Sequence, residues 1–133
     1  NPIITTATVG TKNPMYCTSL GKVILEYTDE DTRQQIVNRI KFSRKTENTI
    51  MTKAELEKEL EKVRNQGYAL DAREMEEHME CAGAAIFEQD GNVLGAISVS
   101  SLYKPEEDYD ALGRVVCKKA AEVSKLLGFL GKI

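Results

Sequence analysis

Two strand-like runs, 81–87 and 93–100, joined by Glu88-Gln89-Asp90-Gly91-Asn92, constrain this chain more than anything else in it. An Asp-Gly step between such runs signals an antiparallel hairpin, because glycine accepts the positive φ that a tight reversal needs. A hairpin rules out a purely parallel, doubly wound sheet. The segments before it read mostly as helices. From Thr18 to Tyr27, the residues Leu20, Val23, Ile24 and Tyr27 recur at intervals of three and four, a helical stripe. Thr28, followed by Asp29, Glu30 and Asp31, reads as the N-cap of a second helix running to about Ile40. Thr52-Lys53-Ala54-Glu55 is a capping box, with Leu56, Leu60 and Val63 on one face and Gly67 placed to end the helix. Pro105 predicts the opening of a last helix that turns Tyr109, Leu112, Val116, Val123 and Leu127 inward. Residues 3–9, β-branched but for one Ala, and 68–71 read as extended; 42–51 is loop, and 72–80 has no clean period. The resulting order, β-α-α-α-β-β-β-α, belongs to the α+β class. At 133 residues, with no visible repeat or linker, the chain is expected to be a single domain.

Composition excludes several functions. The longest unbroken apolar stretch is 82–87, against the roughly 20 residues a membrane-spanning helix needs. The N-terminus lacks the charged-then-apolar form of a signal peptide. Cys17, Cys81 and Cys117 are far apart and odd in number, with no CxxC pair, so neither a zinc ribbon nor a disulfide framework is expected. That usage fits a reducing cytoplasm. The net charge is −3, and residues 65–92 hold seven carboxylates against one arginine. Lys41, Arg44 and Lys45 are the nearest thing to a basic cluster, too small to displace many phosphate counterions, so the chain alone is not expected to grip DNA. It begins Asn1-Pro2 with no initiator Met, as a piece excised from a longer protein would.

Three places carry possible chemistry. Cys17-Thr18-Ser19-Leu20-Gly21-Lys22 lies where a turn hands over to a helix, and the free amides of a first turn bind anions. Small residues at Ser19 and Gly21 would let a carboxylate approach the backbone; the plainer reading is that Thr18 or Ser19 only caps the helix, with Leu20, Val23 and Ile24 in the core. Asp71, Glu74, Glu76, Glu77 and Glu80, with the sole histidine His78, could serve acid–base chemistry or hold a metal, or could be solvated surface. Asp71 stands apart because it ends a strand-like segment, where a side chain can point inward. Cys81 opens the most apolar strand; as a nucleophile it would need a base, and His78 stands at a spacing that suits a helical turn rather than a strand. Otherwise Cys81 is a small buried hydrophobe. No P-loop, GxGxxG or nucleophile elbow occurs, and no cofactor is implied.

Taken in order, several stretches resemble one family. They are Gly10-Thr11-Lys12-Asn13-Pro14-Met15-Tyr16-Cys17-Thr18-Ser19-Leu20-Gly21-Lys22, then Thr46-Glu47-Asn48-Thr49-Ile50, then Arg64-Asn65-Gln66-Gly67-Tyr68-Ala69-Leu70-Asp71. Glu74, Cys81-Ala82-Gly83-Ala84-Ala85-Ile86-Phe87, Gly91 and Ala96-Ile97-Ser98-Val99-Ser100 follow. Their order and spacing resemble the effector-binding domain of the isocitrate lyase regulator (IclR) family of bacterial transcription factors. The resemblance implies a GAF-like fold, a curved antiparallel sheet flanked by helices, with the N-terminal part of the domain missing. It also implies a non-enzymatic sensor of a small molecule, typically an organic acid, in a homo-oligomer, a dimer or a tetramer. DNA would be bound only through a separate N-terminal winged helix-turn-helix that this chain lacks, and no membrane partner is implied.

Carried over by position, the family's ligand site falls on Ser19, Leu20 and Gly21 at the helix start, with Asp71 and Cys81 facing the ligand and Ser98 deeper on the next strand. Met15, Leu20 and Met79 would supply apolar wall. An unpaired buried carboxylate beside an acidic ligand is costly, so Asp71 would be protonated or accept from a ligand hydroxyl. The chain departs from the family pattern at His78 (usually Gly), Ala85 (often Pro), Ala82 (often Ile) and Ser101 (usually Gly). The His78 change would narrow the site or add a cation or metal ligand. Rival readings are an enzyme using Cys81, Glu74 and His78, a metal sensor built on Asp71, His78 and Cys81, and an oligomerisation module whose pocket is filled by its own side chains.

Overall fold

A computed structural model describes residues 12–131. Its elements are α1 (Ser19–Tyr27), α2 (Glu30–Arg39), α3 (Lys53–Gln66), β1 (Ala69–Ala72), β2 (Met79–Phe87), β3 (Val93–Leu102) and α4 (Tyr109–Leu126). The strands form one antiparallel sheet in the order β1-β2-β3, so the class is α+β as the hairpin and helical stripes predict. The strand expected over 3–9 lies outside the described residues.

Local chemistry sets most boundaries. Thr52 Oγ1 accepts from the Glu55 amide to open α3, and Gly67, at φ +88°, closes it in a left-handed conformation that a Cβ would penalise. Gly91, at φ +87°, turns the β2–β3 hairpin, where its amide donates to Glu88 O. Two helix starts differ from expectation. Asp29, not Thr28, caps α2 by accepting from Thr32 N; Thr28 instead closes α1, its hydroxyl donating to Ile24 O. Asp108, not Pro105, opens α4, because its side chain reaches Ala111 N.

The sheet is sandwiched between helices, and strand alternation sorts its two faces. Ala69, Ala85 and Phe87 pack with Val23 of α1 and Val63 of α3. Ala82 and Ala84 turn the other way, onto Tyr68 and onto Val116 and Ala120 of α4. That contact bears out Leu112 and Val116 on the inner face of α4 and corrects its C-terminal half. Gly113, Val116, Ala120 and Ser124 are buried, while Val123 is 37% and Leu127 44% exposed. Small residues bring this helix close to the alanine-rich strand, where a stripe of large residues would hold it off. Ser124 Oγ ties the two together, accepting from Phe87 N at 2.9 Å and donating to Ala120 O. A third cluster beyond α1 joins Tyr16, Cys17, Leu25, Val37, Ile50, Leu56 and Leu60.

Candidate functional site

The start of α1 is pinned against the sheet. Thr18 caps it, its hydroxyl accepting from Gly21 N at 3.2 Å and donating to Pro14 O at 2.7 Å. Lys22 N is taken by Thr18 O, which leaves the Ser19 and Leu20 amides without a partner among the described residues. A Cβ on Gly21 would lie 2.4 Å from Met15 Cα, so the Asn13–Thr18 segment folds directly onto the helix only because that position is glycine. On the sheet side, a Cβ on Gly83 would lie 3.1 Å from Ser19 Oγ, so β2 and the helix start nearly touch.

Beside that contact opens a cavity of about 390 Å³ lined by Asn13, Thr18, Ser19, Leu20, Gly21, Asp71, Met75, Glu76, Met79, Cys81, Ser98 and Ser100. Strand register builds its floor. Asp71 pairs with Cys81 and Cys81 with Ser100, while Gly83 pairs with Ser98, so these residues lie in rows on the face that meets α1. Cys81 Sγ and Ser100 Oγ are 3.0 Å apart. Asp71 Oδ1 accepts from the amides of Glu74 at 2.8 Å and Met75 at 3.3 Å.

Among the described residues, no lysine, arginine or histidine lines the cavity, so what favours an anion there is the α1 dipole and the amides of its first turn. Burial pushes the Asp71 carboxyl up to about 6; the Glu74 charge adds to this, against the two backbone hydrogen bonds and the Lys22 charge. Burial first, then the charges of Asp71, Glu80 and Glu76, raise the Cys81 thiol to about 11 against its hydrogen bond with Ser100. A thiol so raised is a poor nucleophile.

The structure brings together Ser19, Leu20, Gly21, Asp71, Met79, Cys81 and Ser98. Leu20, at 41% exposed, is cavity wall rather than core. Met15 does not line the cavity; it packs against the Tyr16–Cys17 cluster. The acidic run divides. Glu74 pairs with the buried Lys22, and Glu80 is buried with its carboxyl raised to about 7, chiefly by desolvation. His78 is 87% exposed at its side chain, 3.9 Å from Glu77, and neither narrows the cavity nor enters it. Cys81, Glu74 and His78 therefore do not converge on one cleft. Among the described residues, no group of three or more His, Cys, Asp or Glu could hold a metal ion, which removes the Asp71, His78 and Cys81 ligand set.

Sequence reasoning missed Asn13, Thr18, Met75, Glu76 and Ser100 as lining residues. Ser100 carried a usable signal, standing two residues beyond Ser98 on the same strand face. Met75 and Glu76 lie in the aperiodic stretch, where no pattern fixes direction. A larger depression of about 670 Å³ on the outside of α3 is edged mostly by charged side chains such as Lys58, Glu61 and Lys62, and it holds none of the expected residues.

The family model described as "Bacterial transcriptional regulator IclR C-terminal" matches residues 1–125. The chain is 33% identical over 123 residues to the HTH-type transcriptional regulator KdgR of Escherichia coli, an alignment covering 91% of this chain and 47% of that protein. It thus spans about half the length of the curated relatives it matches. Those relatives are named as transcriptional regulators, a family of non-enzymes. Among solved structures, the Thermotoga maritima IclR superposes with a TM-score of 0.86 at 31% identity, covering 97% of this chain and 53% of that one. The C-terminal domain of E. coli KdgR superposes at 0.80 with 33% identity, covering 90% and 74%. Among the described residues, no helix is long and apolar enough to cross a membrane.

Proposed function

The chain belongs to the IclR family of bacterial transcriptional regulators, matching its C-terminal domain, and on that premise we propose that it is the effector-sensing part of such a regulator and binds a small organic acid. The observation that carries this reading is that Ser19 and Leu20, whose amides have no partner among the described residues, line one cavity with Asp71, Cys81, Ser98 and Ser100. The amides and the dipole of α1 receive the ligand carboxylate. At the sheet end, Asp71 and the hydroxyls of Ser98 and Ser100 receive a hydroxyl or carbonyl. Leu20, Met75 and Met79 pack on the carbon skeleton between the two ends.

A cavity of about 390 Å³ lies in the size range of metabolite sites. Because Asp71 already holds two backbone amides, it is pre-oriented before a ligand arrives. Binding selects one arrangement of the Asn13–Thr18 segment and the 72–78 turn, the two walls that meet over the cavity. The preference passes through a homo-oligomer, dimeric or tetrameric, to a DNA-binding part of the protein, in the cytoplasm.

The test is a thermal-shift screen of small hydroxy, keto and sugar acids. A ligand at one hundred times its Kd adds about 2.7 kcal/mol, so a matching acid raises the melting temperature by several degrees. A folded sample that no such acid stabilises contradicts the reading.

A further inference from the structure

The motif Thr46-Glu47-Asn48-Thr49 has no atom in the cavity, yet it holds one of the cavity walls. Three side chains of this loop donate to three successive carbonyls, running from the last residue of β1 into the turn that follows it. Asn48 Nδ2 donates to Ala72 O at 3.1 Å, Thr46 Oγ1 to Arg73 O at 2.6 Å, and Thr49 Oγ1 to Glu74 O at 2.7 Å. Thr46 and Thr49 are buried. The loop is itself braced: Thr49 Oγ1 accepts from the amides of Lys45 and Thr46, and Thr46 Oγ1 accepts from Asn48 N.

The turn needs holding. Arg73 sits at φ +56°, a left-handed conformation unfavourable for a residue with a side chain, and the segment 73–78 has no ladder partners of its own. The same turn supplies the Glu74 and Met75 amides that orient Asp71, and it projects Met75 and Glu76 into the cavity. The loop's other end grips the opposite wall. Tyr16 Oη donates to Ser43 O at 2.9 Å and accepts from Ser43 N at 2.8 Å, just before the helix that carries the free amides.

We propose that Thr46, Asn48 and Thr49 are positioning residues for the ligand site, clamping the Ala72–Glu74 carbonyls so that Asp71 is held at a set distance from the Ser19 and Leu20 amides. The clamp acts through the turn and touches no ligand. It rests on the cavity's being the ligand site, so its test reads the cavity without an effector.

The readout is the rate at which iodoacetamide alkylates Cys81, followed by peptide mass spectrometry, with Cys117 on α4 as internal reference. In Asn48→Ala, and in Thr49→Val, which keeps the volume but loses both the donor to Glu74 O and the acceptor for the Lys45 and Thr46 amides, the Cys81 rate rises roughly threefold to tenfold while the Cys117 rate holds. Thr49→Ser, which keeps the hydroxyl, reacts at the parent rate. Asn48 lies on the surface, so its variant keeps the test decisive should Thr49→Val fail to fold. An unchanged Cys81 rate in a folded variant, an equal rise at Cys117, or a serine variant as fast as the valine one overturns the clamp. If acids stabilise the protein while Cys81 ignores the clamp, the clamp alone is wrong. If Cys81 responds while no acid binds, the clamp stands and the sensor reading falls.

Discussion

Lys22 Nζ lies 2.8 Å from Glu74 Oε2, and the lysine side chain is wholly sealed from solvent. A second bond, from Nζ to Leu70 O at 2.8 Å, and Glu59 at 3.6 Å complete its surroundings. This pair joins the first turns of α1 to the turn that orients Asp71, so it braces the cavity from behind. Removing one partner of a buried pair strands the other's charge. Lys22→Met should therefore cost about 3 to 5 kcal/mol in denaturant unfolding, with Glu74→Gln costing less. Because the two groups share one interaction, the double substitution should cost less than the sum of the singles.

Asp71 makes stability depend on pH in a definite direction. Its folded value of about 6 stands above its ordinary 3.8, so the folded protein holds the proton more tightly than the unfolded chain. Stability is then lost as pH rises from about 4 to about 6, and Glu80, raised to about 7, extends the loss upward. Asp71→Asn keeps an acceptor for the Glu74 and Met75 amides but cannot ionise. Its melting temperature should exceed the parent's at about pH 7.5 and nearly match it at about pH 4.5. Equal differences at both pH values would show that Asp71 is not the titrating group.

Two glycines separate site from scaffold. A Cβ at Gly21 would lie 2.7 Å or closer to Met15 Cα and O, backbone atoms that can yield only by moving the strap over the helix start. A Cβ at Gly113 would lie 2.3 Å from the Tyr68 ring, on the far side of the sheet. Gly21→Ala and Gly113→Ala should each lose about 1 to 3 kcal/mol, but only Gly21→Ala should lower affinity for a stabilising acid beyond its loss of stability. Isothermal titration of both variants against the parent measures this.

Val116→Ala should cost about 2 kcal/mol, since Val116 is buried against β2, whereas Val123→Ala should stay within about 0.5 kcal/mol, since Val123 is 37% exposed. Chemical denaturation distinguishes them.

Features set by a few neighbouring residues were legible in the sequence. The Thr52–Glu55 box, the Gly67 stop and the Gly91 hairpin each follow from chemistry within one turn of chain. The inner face of α4 was legible in part: Val116 is buried and Leu112 packs beside it, but Gly113, Ala120 and Ser124 carry little hydrophobic signal, although their smallness is what lets the helix approach β2. The burial of Lys22 was invisible because its partner lies far along the chain, in the aperiodic 72–80 stretch. The same stretch hid the inward turn of Met75 and Glu76, and there His78, its only titratable imidazole, points to solvent.

The central claim is that the open amides of α1 and the Asp71–Cys81–Ser100 row receive one ligand together. The most direct measurement is a ¹H–¹⁵N correlation titration with an acid that stabilises the fold. The account predicts that the Ser19 and Leu20 amides shift along one binding curve with those of Cys81 and Ser100. Shifts confined to the α3 surface around Lys58 and Lys62, or at one wall of the cavity without the other, would contradict it.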